Sequence, residues 1–153
     1  EAQAAIEMEM VCQDTVASYS YDLRSKAPSL TWGDVKALPM IGSSYEIGLK
    51  PMLESIVEEV ETGKSLADIG GKFHRSLAKI VGEAAQLISE KTALRKVALS
   101  GGCFQNRLLL RMTIEELRKH GLHPLLHRNV PTNDGGISLG QAAIGHFILK
   151  EVL

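Results

Sequence analysis

Two glycine-rich loops are the segments of this sequence best suited to chemistry. The first reads SGGCFQN at residues 100–106, and the second reads PTNDGGISLGQ at residues 131–141. Small residues let a ligand approach the backbone closely, and a helix that begins behind them presents unpaired N–H groups and a positive dipole end. The first loop is neutral, whereas the second carries Asp134 at its centre. Together the loops predict a nucleotide held between them, with a metal ion near the carboxylate.

Each candidate residue also has a purely structural interpretation. A strand followed by two glycines and a helix serves many α/β proteins as a tight connection. Asp134 either binds a hard metal ion or its water, or caps a turn. Asn106 either contacts the ligand or caps a helix. Cys103 stands where a helix start would lower a thiol pKa, but no base partner is evident, so we do not expect it to be a nucleophile.

The elements around the loops alternate in type. We predict strands at 96–100 and 122–127 and helices at 106–120 and 137–152. This β-α-β-α order favours parallel strands joined by a right-handed crossover. Ligands of such sheets lie at the carboxyl ends of the strands, where both loops fall.

The preceding residues predict further helices and strands. Helices are expected at 2–12, at 51–63 and for about five turns behind a capping serine, Ser65. Residues 16–23 and 30–32 have strand-like patterns, and 35–48 indicates a loop or a short helix. We expect Leu53, Ile56, Val57 and Val60 to form one apolar face of the second helix. Gly82, inside the long helix, indicates close approach of another element.

Length and composition define the class of protein. The chain has 153 residues, of which 44% are hydrophobic and 23% charged, with a net charge of −1. We therefore expect one domain over residues 1–153, with no nucleic-acid or membrane partner. Two widely spaced cysteines match no metal site, so a reducing cytoplasm is expected. The chain opens inside a helical pattern, which suggests a piece of a longer protein.

The two loops and the opening EAQAA resemble the HypF family, the carbamoyltransferases of [NiFe]-hydrogenase maturation. The similar part is the C-terminal end of the Kae1-like domain, from residue 1 to about residue 141. The resemblance implies an α/β fold, the C-terminal lobe of an actin/Hsp70/sugar-kinase-like domain with a mixed sheet flanked by helices. Cys103 departs from the family, which more often has a small aliphatic residue there.

The resemblance also implies a reaction and a site. In the family, ATP and carbamoyl phosphate yield carbamoyl adenylate, and the Kae1-like domain transfers the carbamoyl group to the C-terminal cysteine of HypE. It implies a metal ligand at Asp134 and a nucleotide site at Ser100, Gly101, Gly102, Asn106 and Gly135. The family's paired histidines are missing from this sequence, so the divalent metal needs ligands outside the chain. Glu1 would lie near the ribose. His74 is similar to the family's residue at its position, yet we expect a packed or capping histidine there.

Three alternatives remain open at this point. A tRNA threonylcarbamoyltransferase or an O-carbamoyltransferase would have the same fold and a different acceptor. A non-catalytic docking lobe would bind the remaining HypF domains and nucleotide only weakly. We expect an isolated chain to fold, to catalyse nothing and to self-associate through exposed apolar surface.

Overall fold

The computed structural model describes residues 3–26 and 44–152. Along these residues lie nine helices and strands, here labelled in chain order. They are α1 (Gln3–Val11), β1 (Asp22–Lys26), β2 (Ser44–Gly48), α2 (Lys50–Glu61), α3 (Leu66–Thr92), β3 (Lys96–Leu99), α4 (Arg107–Lys119), β4 (His123–Leu126) and α5 (Ile137–Val152). Two short 3₁₀ turns, Gly102–Gln105 and Asp134–Gly136, precede α4 and α5.

The described strands form two separate sheets. β3 and β4 are parallel, with Lys96 opposite His123 and Leu99 opposite Leu126. β1 and β2 are antiparallel. The predicted α/β class and the parallel pair are therefore confirmed, whereas the single mixed sheet is wrong for the described part of the chain. A mixed sheet needs a strand that hydrogen-bonds to both pairs, and no described strand does so.

The core forms where α4 packs between α3 and the parallel strands. Leu99, Leu117 and Leu122 are buried together there, which secures β3 against α4. On the α3 side, a methyl group at Gly82 would lie 3.1 Å from Cβ of Glu116. The close approach predicted at Gly82 is thus confirmed. Leu110 and Ile114 are partly buried and pack against the same cluster.

Two further glycines let the N-terminal segment lie against α3. A methyl group at Gly71 would overlap the carbonyl oxygen of Gln13, and one at Gly70 would overlap Sγ of Cys12. The N–H of Gln13 also donates to the carbonyl oxygen of Ala67 at 3.2 Å. Although glycine weakens a helix interior, here it permits contacts that no larger residue could make.

The apolar face expected on α2 is largely exposed. Leu53, Val57 and Val60 are 54%, 56% and 53% exposed, whereas Met52 is buried. The opposite face of α2 lies toward α3, because Glu59 on α2 pairs with Lys72 on α3. The apolar stripe at Leu53, Val57 and Val60 consequently points away from α3.

Residues 16–21 are irregular, so the strand predicted at 16–23 is wrong for most of its length; β1 begins at Asp22. Side chains satisfy the polar groups of Tyr19 in place of a neighbouring strand. The N–H of Tyr19 donates to Oγ of Ser76 at 2.7 Å, and the hydroxyl of Tyr19 donates to Glu59 at 2.6 Å. Burial, followed by the Glu59 carboxylate, raises the pKa of Tyr19.

The segment predicted as loop or short helix at 35–48 contains β2 at its end, so that prediction is wrong for residues 44–48. Its first part, the strand expected at 30–32 and Glu1 lie outside the described residues. The helices expected at 2–12, 51–63 and behind Ser65 are confirmed as α1, α2 and α3, with Oγ of Ser65 accepting from the N–H of Ala67.

The last helix, α5, leaves its large apolar side chains exposed. Its large apolar side chains are 55–67% exposed, namely Ile137, Leu139, Ile144, Phe147, Ile148 and Leu149. Among the described helices, none combines the length and apolar character needed to cross a membrane. An apolar patch on this scale is typical of a surface that packs against another protein part.

Candidate functional site

The two glycine-rich loops meet at the carboxyl ends of the parallel strands. The first follows β3 and the second follows β4. They are joined directly, because the N–H of Gly101 donates to the carbonyl oxygen of Thr132 at 2.8 Å. The sequence-based expectation that one edge of the sheet carries both loops agrees with this contact.

The first loop leaves open space beside its backbone. Gly101 has φ +105°, a conformation that disfavours residues with a side chain. No described atom lies within 4 Å of the position that a methyl group would take at Gly101 or at Gly102. Ser100 is exposed and its Oγ lies 3.0 Å from Nε2 of His127, which follows β4. The loop thus presents bare backbone and one hydroxyl group to its surroundings.

The N-terminus of α4 is not the free anion site that the sequence predicts. Oε1 of Glu9 accepts from the N–H groups of Arg107 at 2.7 Å and of Leu108 at 3.4 Å. The N–H of Leu109 donates to Oδ1 of Asn106 at 2.7 Å. A carboxylate from α1 therefore already occupies the positive end of the helix, which is a favourable place for negative charge. An anion held by the first loop would therefore contact the turn before Asn106 and not these two N–H groups of α4.

Asn106 links two helices through its side chain. Besides capping α4 through Oδ1, it approaches Nε2 of His74 with Nδ2 at 2.9 Å. His74 is buried on α3, and its Nδ1 lies 2.7 Å from the carbonyl oxygen of Gly70. The structural interpretation of Asn106 as a cap and of His74 as a packed histidine is thus observed. Direct contact between Asn106 and a ligand stays a prediction.

In the second loop, the cap is Asn133 and not Asp134. Oδ1 of Asn133 accepts from the N–H of Gly135 at 3.1 Å. Asp134 is exposed, and its carboxylate has no hydrogen-bond or ion-pair partner among residues 3–26 and 44–152. A methyl group at Gly136 would lie 2.9 Å from the carbonyl oxygen of Pro131, so this glycine is needed for the turn itself. The carboxylate of Asp134 is left available for a ligand.

A complete metal site is not built by the described residues. No group of three or more His, Cys, Asp or Glu side chains is placed there to hold an ion. Asp134 fits the role of a single carboxylate ligand for a hard divalent cation. The remaining ligands would have to come from elsewhere.

The two cysteines are separate and reduced. Cys103 is exposed in the first loop, and Cys12 lies beside α3 with its Sγ 3.6 Å from Nδ1 of His74. Burial, and after it the carboxylate of Glu9, raises the pKa of the Cys12 thiol. A thiol with a raised pKa is a poor nucleophile at neutral pH.

Two residues near the site were not predicted to act there. Glu9 caps α4 from 98 positions away in sequence, and His74 reaches Asn106 from 32 positions away. No local pattern signals either contact. The one sequence signal is the pair of glycines at 70 and 71, which permits the α1 segment carrying Glu9 to lie close to α3.

Comparison with known proteins settles the family. Residues 1–141 match the family model described as the carbamoyltransferase Kae1-like domain, second subdomain. The chain belongs to the HypF carbamoyltransferase family. The carbamoyltransferase HypF of a Synechocystis strain is 34% identical over 145 residues, which is 92% of this chain and 16% of that protein.

Solved HypF structures agree with the assignment. A crystal structure of full-length HypF in a phosphate- and nucleotide-bound form superposes with TM-score 0.82 at 36% identity, covering 97% of this chain and 18% of that one. The structure of T. kodakarensis HypF gives TM-score 0.60 at 32% identity, covering 69% of this chain and 14% of that one. The chain therefore corresponds to about one sixth of the HypF proteins it matches. It is a Kae1-like subdomain of the HypF type.

Proposed function

We propose that this chain supplies the nucleotide-binding edge of a HypF-type carbamoyltransferase. The reaction is transfer of a carbamoyl group from carbamoyl adenylate, made from carbamoyl phosphate and ATP, to the C-terminal cysteine of HypE. Family membership supports the reaction class. The observation that carries the proposal is the hydrogen bond from Gly101 to Thr132, which brings the neutral loop and the acidic loop to one edge.

The bare backbone of the first loop supports binding of the adenylate. Gly101 and Gly102 border open space, so the phosphate or adenosine half can approach their backbone. Ser100 and Asn106 stand at the two ends of the same turn, and Gly135 belongs to the adjoining loop. We assign these five residues to nucleotide binding. They would bind the leaving half of the anhydride while its carbonyl carbon is attacked.

Asp134 is the proposed metal ligand. Its exposed carboxylate is free of partners within the described residues, and it begins the turn of the acidic loop. A divalent cation bound there would polarise the carbamoyl carbonyl or align the phosphate. The other ligands belong to residues outside this chain.

The proposed transfer is a substitution at the carbamoyl carbon, and it needs no oxidant or reductant. The thiolate sulfur of the acceptor cysteine attacks the carbamoyl carbonyl carbon, and a carbon–sulfur bond forms. The bond from that carbon to the phosphate oxygen breaks, and AMP leaves with the electron pair. The task of this chain is to hold the AMP half in place, because fixed donors at the site of developing charge lower the barrier.

The proposed partners follow from the same assignment. HypE brings the acceptor cysteine, and the remaining HypF domains supply the other side of the cleft and the missing metal ligands. A reduced thiol acceptor requires a reducing compartment, so we propose the cytoplasm. Self-association of an isolated chain would use the apolar face of α5.

A non-catalytic docking lobe is the second candidate. The exposed apolar side chains of α5 and the lack of a full metal cluster in the described ranges favour it for the chain by itself. The two candidates differ in one property. A docking lobe has no need of open space beside Gly102.

Nucleotide titration of a full-length HypF protein that carries this subdomain tests the proposal. Gly102→Leu fills the open space beside the turn, whereas Lys64→Leu places the same side chain at an exposed position after α2. We expect the first variant to weaken ATP binding by about tenfold or more, which corresponds to about 1.4 kcal/mol, and the second to leave it unchanged. Equal affinity in the two variants would contradict the assignment of the turn.

A further inference from the structure

We propose that His74 is a positioning residue for the nucleotide turn. Its imidazole holds the side chain of Asn106, and Asn106 is both the end of the 3₁₀ turn Gly102–Gln105 and the cap of α4. The inference rests on the proposed function, because the turn that His74 positions is the proposed nucleotide-binding segment. The nucleotide itself is not required to touch His74.

His74 is placed to act through Asn106 and not by direct contact. It is 4% exposed, and it lies inside the longest helix, α3. Nδ1 lies 2.7 Å from the carbonyl oxygen of Gly70 and 3.6 Å from Sγ of Cys12, and Nε2 lies 2.9 Å from Nδ2 of Asn106. A buried imidazole with both nitrogens engaged has one orientation.

The partners also determine which nitrogen carries the proton. The carbonyl oxygen of Gly70 can only accept, so Nδ1 of His74 must be the donor. Oδ1 of Asn106 accepts from the N–H of Leu109, which leaves Nδ2 as the atom that faces the ring. An amide nitrogen only donates, so Nε2 must be an unprotonated acceptor. His74 is therefore a neutral imidazole with its proton on Nδ1.

This arrangement restrains the junction between turn and helix. The N–H of Asn106 donates to the carbonyl oxygen of Cys103 at 3.2 Å, and its own carbonyl oxygen accepts from Leu110 at 3.0 Å. With Oδ1 on Leu109 and Nδ2 on His74, both ends of its amide are engaged. Residues that hold a binding loop in one geometry reduce the ordering cost of ligand binding. His74 provides this restraint from a rigid helix.

Two substitutions separate the contact of His74 with Gly70 from its contact with Asn106. The amide end of asparagine reaches about as far as Nδ1, and that of glutamine about as far as Nε2. His74→Asn therefore keeps a donor to Gly70 and loses Asn106. His74→Gln keeps an acceptor for Asn106 and loses Gly70. Each variant loses one contact and keeps the other, so a difference between the two at the start of α4 shows which contact restrains it.

The first measurement is hydrogen exchange at the start of α4, followed by mass spectrometry in a full-length HypF protein that carries this subdomain. We expect His74→Asn to raise exchange of the Leu109 region by roughly fivefold, the effect of a weakened cap, and His74→Gln to leave it near the wild-type rate. Equal exchange in both variants would overturn the positioning role.

The second measurement is ATP affinity of the same variants. We expect His74→Asn to weaken it by about fivefold, with His74→Gln within about twofold of wild type. Faster exchange with unchanged affinity in His74→Asn would overturn the link to nucleotide binding. Failure of the proposed function looks different, because the Gly102→Leu variant would then bind ATP as well as wild type, whatever the exchange rates show.

Discussion

The N–H of Gly101 donates to the carbonyl oxygen of Thr132, 2.8 Å away, and this bond fastens the neutral loop to the acidic one. The two residues lie in different β-α units, yet the parallel register of β3 and β4 brings them side by side. Gly101 has φ +105°, a conformation that residues with a side chain rarely adopt. The contact between Gly101 and Thr132 supports the proposed ligand site shared by the two loops.

Removal of the Asp134 carboxylate should abolish carbamoyl transfer while upstream carbamoyl phosphate hydrolysis continues. In a full-length HypF protein, we expect Asp134→Ala to lower transfer by on the order of a hundredfold, as found when one electrostatic contributor is lost. The measurement is label on the acceptor cysteine. Asn133→Ala, which removes the turn cap, is the control for local structure. Transfer at the wild-type rate in Asp134→Ala would refute the metal-ligand assignment.

Loss of the Cys103 thiol should have little effect on transfer. Cys103 is exposed, and the nucleophile is assigned to the partner protein. We expect the activity of Cys103→Ala to be within about twofold of wild type, since no transition-state contact is removed. A thiocarbamate trapped on Cys103, detected by mass spectrometry, would show instead that this chain carries the acyl group.

A methyl group at Gly71 should destabilise the fold, although alanine is the better helix former. It would overlap the carbonyl oxygen of Gln13, which is backbone and cannot rotate away. We expect Gly71→Ala to lower the free energy of unfolding by about 1–3 kcal/mol in urea titrations. Gly145→Ala, in open space on α5, should be neutral or stabilising by up to about 1 kcal/mol. Equal stability of the two variants would show that the Gly71 contact does not form.

The buried carboxylate of Glu116 should make stability depend on acid pH. Burial would raise its pKa, but Lys119 and Arg75 outweigh burial and hold it below the ordinary value of 4.5. A lowered folded-state pKa gives stability that is present above about pH 4.5 and is lost as pH falls through the folded-state value. Glu116→Gln should therefore flatten the acid limb of a stability profile followed by urea denaturation.

At neutral pH the same substitution should lower the free energy of unfolding by roughly 1–3 kcal/mol, because a charged hydrogen bond to buried Arg75 is replaced. Glu115, which also contacts Arg75 but is 40% exposed, provides the control. Glu115→Gln should cost less than about 1 kcal/mol. An acid limb as steep in Glu116→Gln as in wild type would contradict this role for Glu116.

An isolated 153-residue chain should fold, bind ATP only weakly and self-associate. One side of a cleft gives few contacts and leaves phosphates in water, where each charge interaction is weaker. Sedimentation should show mass rising with concentration, because α5 exposes Phe147 and its apolar neighbours. Phe147→Glu should suppress this rise, whereas Val16→Glu, at another exposed apolar position, should not. Micromolar ATP affinity by calorimetry would show that this chain carries the whole nucleotide site.

The sequence by itself determined the elements near the site, because their signals are local. Apolar periodicity, Ser65 as a cap and the small residues of the two loops predicted α3, α4, α5 and the parallel strands. The order of those elements also predicted which edge carries both loops. Resemblance in the loops then gave the family, which comparison with HypF confirmed.

Tertiary structure decided how the helix ends and faces are used. The sequence predicts a free anion site at the N-terminus of α4, but Glu9 on α1 occupies it in the structure. The sequence shows an apolar face through Leu53 and Val57 but not its direction, and the Glu59–Lys72 pair turns the opposite face toward α3. Such outcomes depend on contacts between residues far apart in the chain, and these contacts compete with local preference only after the helices have packed.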